Sequence, residues 1–329
     1  MTLNKVSVLQ QIFSPIQKEV EALNEHYKTI LQHNDHTISN ILSSIHFSEG
    51  KRLRPAMVFL SAGIAGKINS LTQTTALGLE LLHYSSLMHD DVIDYGTKRR
   101  NQPTLNALWN NKIAVLTGDY LLSECMNLIA KTNNASLILK LVTIAKTMAY
   151  GELLQLSKSY TTCLNEKEYM EIIRYKTANL ISACFEMGVA SCTSDEVTIN
   201  RWKQFGEEVG VIFQLKDDLF DYQINNTSPK DAHKDIQEHK ITLPLIVALQ
   251  KTSESKRQQL LDLYRNHSGN SSEIQDIIHL VSESGGIDYT ETLIKEKINH
   301  CFDFVNQQND SDYKQSLLLL LNFIRDRGF

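Results

Sequence analysis

The chain has 329 residues, 42% hydrophobic and 22% charged, a composition that suits a folded globular protein with a large buried core. A net charge of −5 provides no basic footprint for nucleic acid, although a local basic pocket is compatible with it. Five prolines and 14 glycines are few for this length and favour long helices over many strands and turns.

In chain order, the apolar spacing predicts an amphipathic helix over Val6–Leu31 and a further helix that includes Ile41–Ile45. Gly50 breaks the pattern before a basic cluster, Lys51-Arg52-Leu53-Arg54-Pro55, and Pro55 sits where a helix would start and run through Ala56–Ala65. Thr72–Asp94 reads as one long helix, apolar on most faces and therefore central. A polar loop, Tyr95–Thr104, follows. Further helices are predicted over Leu105–Asn110, Lys112–Lys131, Ala135–Ser157, Glu166–Gly188, Thr198–Tyr222 and Leu243–Gln250, with several more to the C-terminus. Gln223–Lys240 reads as a polar, partly charged loop, and Ser268–Ser272 as a short surface loop. No alternating strand and no solenoid repeat is expected. The result is an all-α fold, a single domain over 1–329.

Five cysteines, Cys125, Cys163, Cys184, Cys192 and Cys301, are odd in number and contain no CxxC pair, which suggests reduced thiols and a cytoplasmic protein. No signal peptide is expected. No apolar run approaches the roughly 18 residues of a membrane span, so no transmembrane segment is expected either.

Two acidic motifs carry the chemistry. Asp90-Asp91-Val92-Ile93-Asp94 ends a long apolar helix, where the backbone dipole is already negative. Asp90 and Asp94 share one face, with roughly 6 Å of axial rise between them, while Asp91 points to one side. A lone acidic run is usually a solvated helix end. That explanation is weakened here by the core-type neighbours Leu81, Leu82, Leu87, Met88, Val92 and Ile93. Asp217-Asp218-Leu219-Phe220-Asp221 repeats the spacing after another apolar helix. Carboxylates in this density suit Mg²⁺, which binds through a few carboxylates together with substrate phosphates. The pair implies a diphosphate gripped through metal ions. Cations are supplied by Lys51 and Arg54 at a helix start, by Arg99 and Arg100 after the first motif, and by Lys176, Lys230 and Lys240.

These residues resemble the trans-type polyprenyl diphosphate synthase family, in its long-chain form such as the octaprenyl enzymes. The motifs, in order, are Gly50–Pro55, Leu87–Asp94 with Arg99-Arg100, Gly118-Asp119-Tyr120, Gly151-Glu152-Leu153-Leu154-Gln155-Leu156, Lys176-Thr177-Ala178, Phe213–Asp221 and Lys240-Ile241-Thr242-Leu243-Pro244. The resemblance implies a helical bundle of the isoprenoid synthase type with a central cavity. It implies that Asp90, Asp94 and Asp217 bind three Mg²⁺ ions, supported by Asp91, Asp218 and Asp221. Arg99, Lys176, Lys240 and Lys230 match the partners of the allylic diphosphate. Lys51, Arg54, His83 and Arg100 match the isopentenyl diphosphate site. Thr177 and Gln214 match polar groups that face the carbocation, and Gln155 a polar residue lining the site. His83, seven before Asp90, shares its face. His89 reads as structural.

The implied reaction condenses isopentenyl diphosphate with an allylic primer (dimethylallyl, geranyl, farnesyl or geranylgeranyl diphosphate), and homodimerisation is expected by analogy. Ser86 and Ser85, four and five before Asp90, point one turn below the metal site. Short-chain relatives carry a bulky aromatic there, and the first motif also lacks the insertion typical of bacterial C15 enzymes. A product longer than C15 follows, in the C30–C40 range, with C20–C25 open. Asn101, Pro229, His233 and His239 stand where the family usually has glycine, which narrows the local backbone and puts the geometry around Lys230 in question. A class I terpene cyclase would not need the isopentenyl cations or the second motif, and a regulatory subunit would be expected to have eroded acids.

Overall fold

The computed structural model describes residues 2–45, 51–99, 102–159, 165–223 and 233–326. Helices dominate, and the chain divides into two compact units, each made of three separate stretches of sequence. The first comprises residues 1–146, 180–206 and 306–320. The second comprises residues 147–179, 207–305 and 321–329.

In the first unit the expected helix over Val6–Leu31 is broken. Helix α1 (Thr2–Phe13) and α2 (Gln17–Leu31) are separated by a 3₁₀ turn at Ser14–Ile16. Pro15 explains the break, because it has no N–H to continue the ladder. Helix α3 (His36–Ser43) starts at Asp35, whose carboxylate accepts from the Thr37 and Ile38 amides. Helix α4 (Leu53–Ala65) buries every residue from Pro55 to Ala62. Helix α5 (Ser70–Ile93) opens on a capping box between Asn69 and Thr72 and ends at Asp94, which lies just outside it. Asn69 also reaches the Ser191 carbonyl (2.9 Å) and so ties the start of α5 to a distant loop.

Two strand pieces absent from the sequence expectation follow. Strand β1 (Lys98–Arg99) pairs antiparallel with β2 (Gln102–Pro103). At two residues each they are too short to show alternation. The short α6 (Leu105–Leu108) leads into α7 (Asn111–Ala130), which packs along α5. Gly118 makes this approach possible, because a Cβ there would strike the His89 ring. Helix α7 is long and apolar enough to cross a membrane by length and composition, with a mean hydropathy of 1.3, a property that core helices of soluble proteins share. Its buried face, Ala114, Gly118, Leu121, Cys125 and Ile129, lies inside the unit, whereas Val115, Leu116, Tyr120 and Met126 face outward.

Helix α8 (Ala135–Ser159) passes from the first set of residues into the second. The predicted helix over Glu166–Gly188 is interrupted. Helix α9 (Glu166–Ile173) gives way to a π-helical turn at Arg174–Ala178 before α10 (Asn179–Ala190). Helix α11 (Glu196–Phe220) carries the second acidic motif at its end. In the first unit Phe185 of α10 meets Phe205 of α11 edge-on at 4.9 Å and stacks on Trp202 at 6.1 Å. In the second unit the predicted polar loop contains one helical turn, α12 (Lys234–Gln237). Helices α13 (Leu243–Lys251), α14 (Glu254–Asn266) and α15 (Ser271–Glu283) pack around Ile236, Leu245, Leu260, Tyr264 and Ile277. Helices α16 (Gly286–Asn306) and α17 (Asp312–Arg325) complete the chain.

Candidate active site

The first acidic motif belongs to the first unit. Asp90 and Asp94 are half-buried, and the Asp94 amide donates to the Asp90 carbonyl (2.8 Å), which continues the helical turn that puts both on one face. Asp91 is buried and turned elsewhere. It accepts from Arg99 Nη2 at 2.8 Å and from Arg99 Nε at 3.1 Å, a bidentate pair that fixes the guanidinium. Its role in the fold is therefore to hold Arg99 and the β1–β2 hairpin. Around it, Asn106 donates to the Gly96 carbonyl (3.0 Å) and Thr104 to the same carbonyl (2.8 Å). A small cavity of about 60 Å³ lies behind this pair, lined by Tyr84, Leu87, Met88 and Leu105 among others. Ser85 is buried. Ser86 is half-buried and donates to the His83 carbonyl (2.8 Å).

The basic segment at the start of α4 splits in two. Lys51 is exposed, and Arg54 is half-buried with its Nε enclosed and lacking a hydrogen-bond partner. Arg52, between them, is buried in a left-handed backbone conformation (φ 50°). Its guanidinium pairs with the buried Glu80 (3.4 Å) and lies 4.6 Å from the Tyr27 ring centre. Sequence reasoning assigned Arg52 no part. The one available signal was Glu80, an acid in an otherwise apolar helix, which must have a partner when buried.

The second motif belongs to the second unit, and its geometry starts from two glycines. A Cβ on Gly151 of α8 would lie 2.7 Å from the Lys176 amide nitrogen, and one on Gly210 of α11 would lie 2.5 Å from Ala178 Cα. Both helices thus press directly on the π-turn. Lys176 Nζ then reaches Glu152 (2.6 Å) and Gln155 (3.3 Å). Thr177 donates to Gln214 Oε1 (2.7 Å), one turn beyond Gly210. Gln214 Nε2 donates to Asp218 Oδ1 (2.7 Å), and Tyr169 donates to Asp218 Oδ2 (2.5 Å). Asp221 accepts from the Asp235 amide. Lys240 pairs with Glu238 (2.7 Å) and Asp235 (3.5 Å). Glu152, Tyr169 and Asp235 were missed by the sequence reading.

Two of the histidines at positions the family usually gives to glycine keep a left-handed backbone, His233 at φ 64° and His239 at φ 55°. That conformation is unfavourable for any side chain with a Cβ. Each is held in compensation. His233 donates to the Asp221 carbonyl (2.5 Å), and His239 donates to the Tyr264 carbonyl (2.9 Å) while stacking on His267 at 4.2 Å. Arg100, Asn101, Pro229 and Lys230 lie outside the described residues.

Both motifs offer only carboxylate oxygens, the donors that hard divalent cations take. Among the described residues no three Asp, Glu, His or Cys side chains gather to hold an ion. An ion here would draw its remaining oxygens from phosphate and water, as Mg²⁺ ordinarily does. Burial first, and the Asp235 charge second, push Asp218 up to about 8 and Asp221 up to about 7. Carboxyl groups held this far from water, with a further acid beside them, fit a divalent cation, which would favour their ionised forms.

The polyprenyl synthetase family pattern matches residues 35–281. The chain belongs to the polyprenyl synthetase family. This synthetase is 31% identical over 322 residues to an all-trans-nonaprenyl-diphosphate synthase (geranyl-diphosphate specific) from Rhodobacter capsulatus, covering 97% of this chain and 98% of that one. It is 27% identical over 328 residues to the octaprenyl diphosphate synthase of Haemophilus influenzae, covering 99% and 98%. A crystal structure of a polyprenyl synthase from Caulobacter crescentus, complexed with calcium and isoprenyl diphosphate, superposes with a TM-score of 0.88 at 27% identity, covering 97% and 98%. The synthetase is accordingly a polyprenyl diphosphate synthase, a transferase with the all-α fold of that family.

Proposed function

We propose that this synthetase condenses isopentenyl diphosphate with an allylic diphosphate, head to tail, and builds a product longer than C15, in the C30–C40 range. The observation that carries the reading is the π-turn, from which Lys176 reaches Glu152 and Gln155 while the adjacent Thr177 donates to Gln214, itself bonded to Asp218. Asp90, Asp94 and Asp217 would hold Mg²⁺, with Asp218 and Asp221 in support. Bound Mg²⁺ would neutralise charge on the departing diphosphate. The relative solved with calcium and isoprenyl diphosphate supports a divalent cation in this role.

Chain residues do the rest. Arg99, fixed by Asp91, presents a fork for phosphate oxygens without losing side-chain freedom on binding. Lys176, ion-paired to Glu152, is held at a set position beside the π-turn. Thr177 and Gln214 offer oxygen atoms to the allylic cation as it forms. Lys51, Arg54 and His83 receive the isopentenyl diphosphate. The small side chains at Ser85 and Ser86, together with relatives that carry nonaprenyl and octaprenyl names, support the longer product. We also propose a homodimer through the outward apolar face of α7, where Val115, Leu116, Tyr120 and Met126 are exposed. Light scattering on the purified chain tests it, with a monomer mass overturning it.

The deciding experiment is product analysis with farnesyl diphosphate, isopentenyl diphosphate and Mg²⁺, repeated with a chelator. Extension beyond C15 that stops when metal is removed is expected. No extension, or extension indifferent to the chelator, overturns the corresponding part of the reading.

A further inference from the structure

We infer that Tyr169 is a positioning residue that fixes, through Asp218 and Gln214, which side of the Thr177 hydroxyl faces the allylic cation. The inference rests on the prenyl-transfer reading above and adds a residue and a polarity to it. Tyr169 lies on α9, is 3% exposed, and its hydroxyl donates to Asp218 Oδ2. The other oxygen of Asp218, itself 3% exposed, accepts from Gln214 Nε2 at 2.7 Å. Gln214 Oε1 in turn accepts from Thr177 at 2.7 Å.

The direction of this relay follows from the donors and acceptors available. The Gln214 amide presents its NH₂ group to Asp218 Oδ1 and its oxygen to the far side, toward Thr177. Thr177 then has one way to satisfy that oxygen, by donating its proton to it. Its lone pairs are left pointing away from Gln214, and a cation developing beside Thr177 meets an electron-rich oxygen rather than a hydroxyl proton. Nothing else on the hydroxyl sets this choice, because an isolated threonine hydroxyl rotates to suit its neighbours. Tyr169 is the outer anchor. Its donor holds the second carboxylate oxygen, so Asp218 cannot turn and release the amide.

The role differs from simple core packing, although the Tyr169 ring is also buried. Packing would hold the π-turn in place without regard to where the Thr177 proton points. A relay makes a sharper demand, because removing only the phenolic oxygen leaves the packing intact while freeing the polarity.

The test uses the full-length enzyme with Mg²⁺, farnesyl diphosphate and isopentenyl diphosphate, and two unreactive inhibitors. One carries an ammonium nitrogen at the carbon that becomes cationic and is added with inorganic pyrophosphate. The other is neutral farnesyl thiolodiphosphate. Tyr169→Phe is expected to lower kcat by about tenfold to a hundredfold, the range for leaving a buried hydrogen-bonding group unsatisfied. Both KM values stay within about twofold, and the ammonium inhibitor weakens by a factor like that in kcat while the thiolodiphosphate does not. In a Thr177→Val background the same substitution costs nothing further, because the two act as one unit. Equal weakening of both inhibitors, or additive losses in the double variant, overturns the inference. If Tyr169→Phe fails to fold, Gln214→Leu, which cuts the relay in its middle, carries the test. Selective loss of the ammonium inhibitor then supports the relay, and unchanged selectivity overturns it. A wild-type enzyme inactive under these conditions overturns prenyl transfer itself, an outcome seen before any variant is made.

Discussion

Gly210 bears no functional group, yet its close approach to the π-turn makes it a sensitive position in the second unit. Replacing it by alanine would place a Cβ 2.5 Å from Ala178 Cα, 2.8 Å from Ala178 Cβ and 2.9 Å from the Ala178 carbonyl oxygen. Carbon atoms in contact sit about 3.5–4.0 Å apart, so α11 and the π-turn would have to separate by about 1 Å. The obstructing atoms are backbone and a methyl group, neither of which can swing aside. Overpacking of this kind costs about 1–3 kcal/mol, a fall of roughly 1–4 °C in melting temperature for a chain of 329 residues. The same displacement stretches the Thr177–Gln214 hydrogen bond from 2.7 Å to about 3.7 Å, beyond the range of a real one. Turnover should therefore fall more than stability alone explains, even when assayed well below the melting temperature. Gly96→Ala is the control, since its Cβ would meet nothing closer than 3.5 Å. Calorimetry paired with steady-state turnover settles the matter. Gly210→Ala with an unchanged melting temperature and turnover within about twofold of wild type would refute the close approach and the reasoning built on it.

Asp90→Asn or Asp217→Asn should each cut turnover by about a hundredfold or more while circular dichroism stays that of the wild type; near-normal rates would refute the metal assignment. Glu80→Gln leaves the buried Arg52 guanidinium without its charge partner and should lower unfolding free energy in a denaturant titration by about 3–5 kcal/mol, whereas no loss would mean that Arg52 has a second partner of equal worth. Ser85→Phe, filling a position that is now small and buried, should shorten the product in chain-length analysis. An unchanged distribution would remove Ser85 as a basis for the longer product.

Helix positions were legible because apolar spacing is set by burial, and burial dominates a chain with few breakers. The interruptions were less legible, for different reasons. Pro15 was a visible breaker, but the apolar spacing on either side of it matched one continuous helix, and the 3₁₀ turn keeps that spacing nearly in phase. The β1–β2 pairing rests on two residues per strand, below any period a sequence can display. The division into two units was invisible because each is assembled from three stretches scattered along the chain. At the site, the spacing of the acids was read correctly, but the partners of Asp91 were not. Arg99, matched to the allylic diphosphate, is paired with Asp91 of α5. Arg52, which the sequence reading gave no part, is a buried strut.

The π-turn explains why the second half of the site resists a sequence reading. One extra residue per turn at Arg174–Ala178 leaves no compositional mark, because any residue can occupy the wider turn. What makes it possible lies elsewhere in the chain: Gly151 on one side and Gly210 on the other, which let two helices press against the turn's backbone. Such a turn forgoes helical hydrogen bonds and persists only when its surroundings hold it. Here they do so through Glu152 on Lys176 and Gln214 on Thr177. The strain thus sits under the two side chains with the most demanding tasks, one a cation placed for phosphate and the other a hydroxyl placed for a carbocation. Relaxing the turn into regular α-helix would rotate every residue beyond the slip by about 100° relative to those before it. Lys176 and Thr177 could then not both keep partners contributed by separate helices. The glycines, the π-turn and the relay behind it form one mechanical device, and its failure should appear in turnover before it appears in the fold.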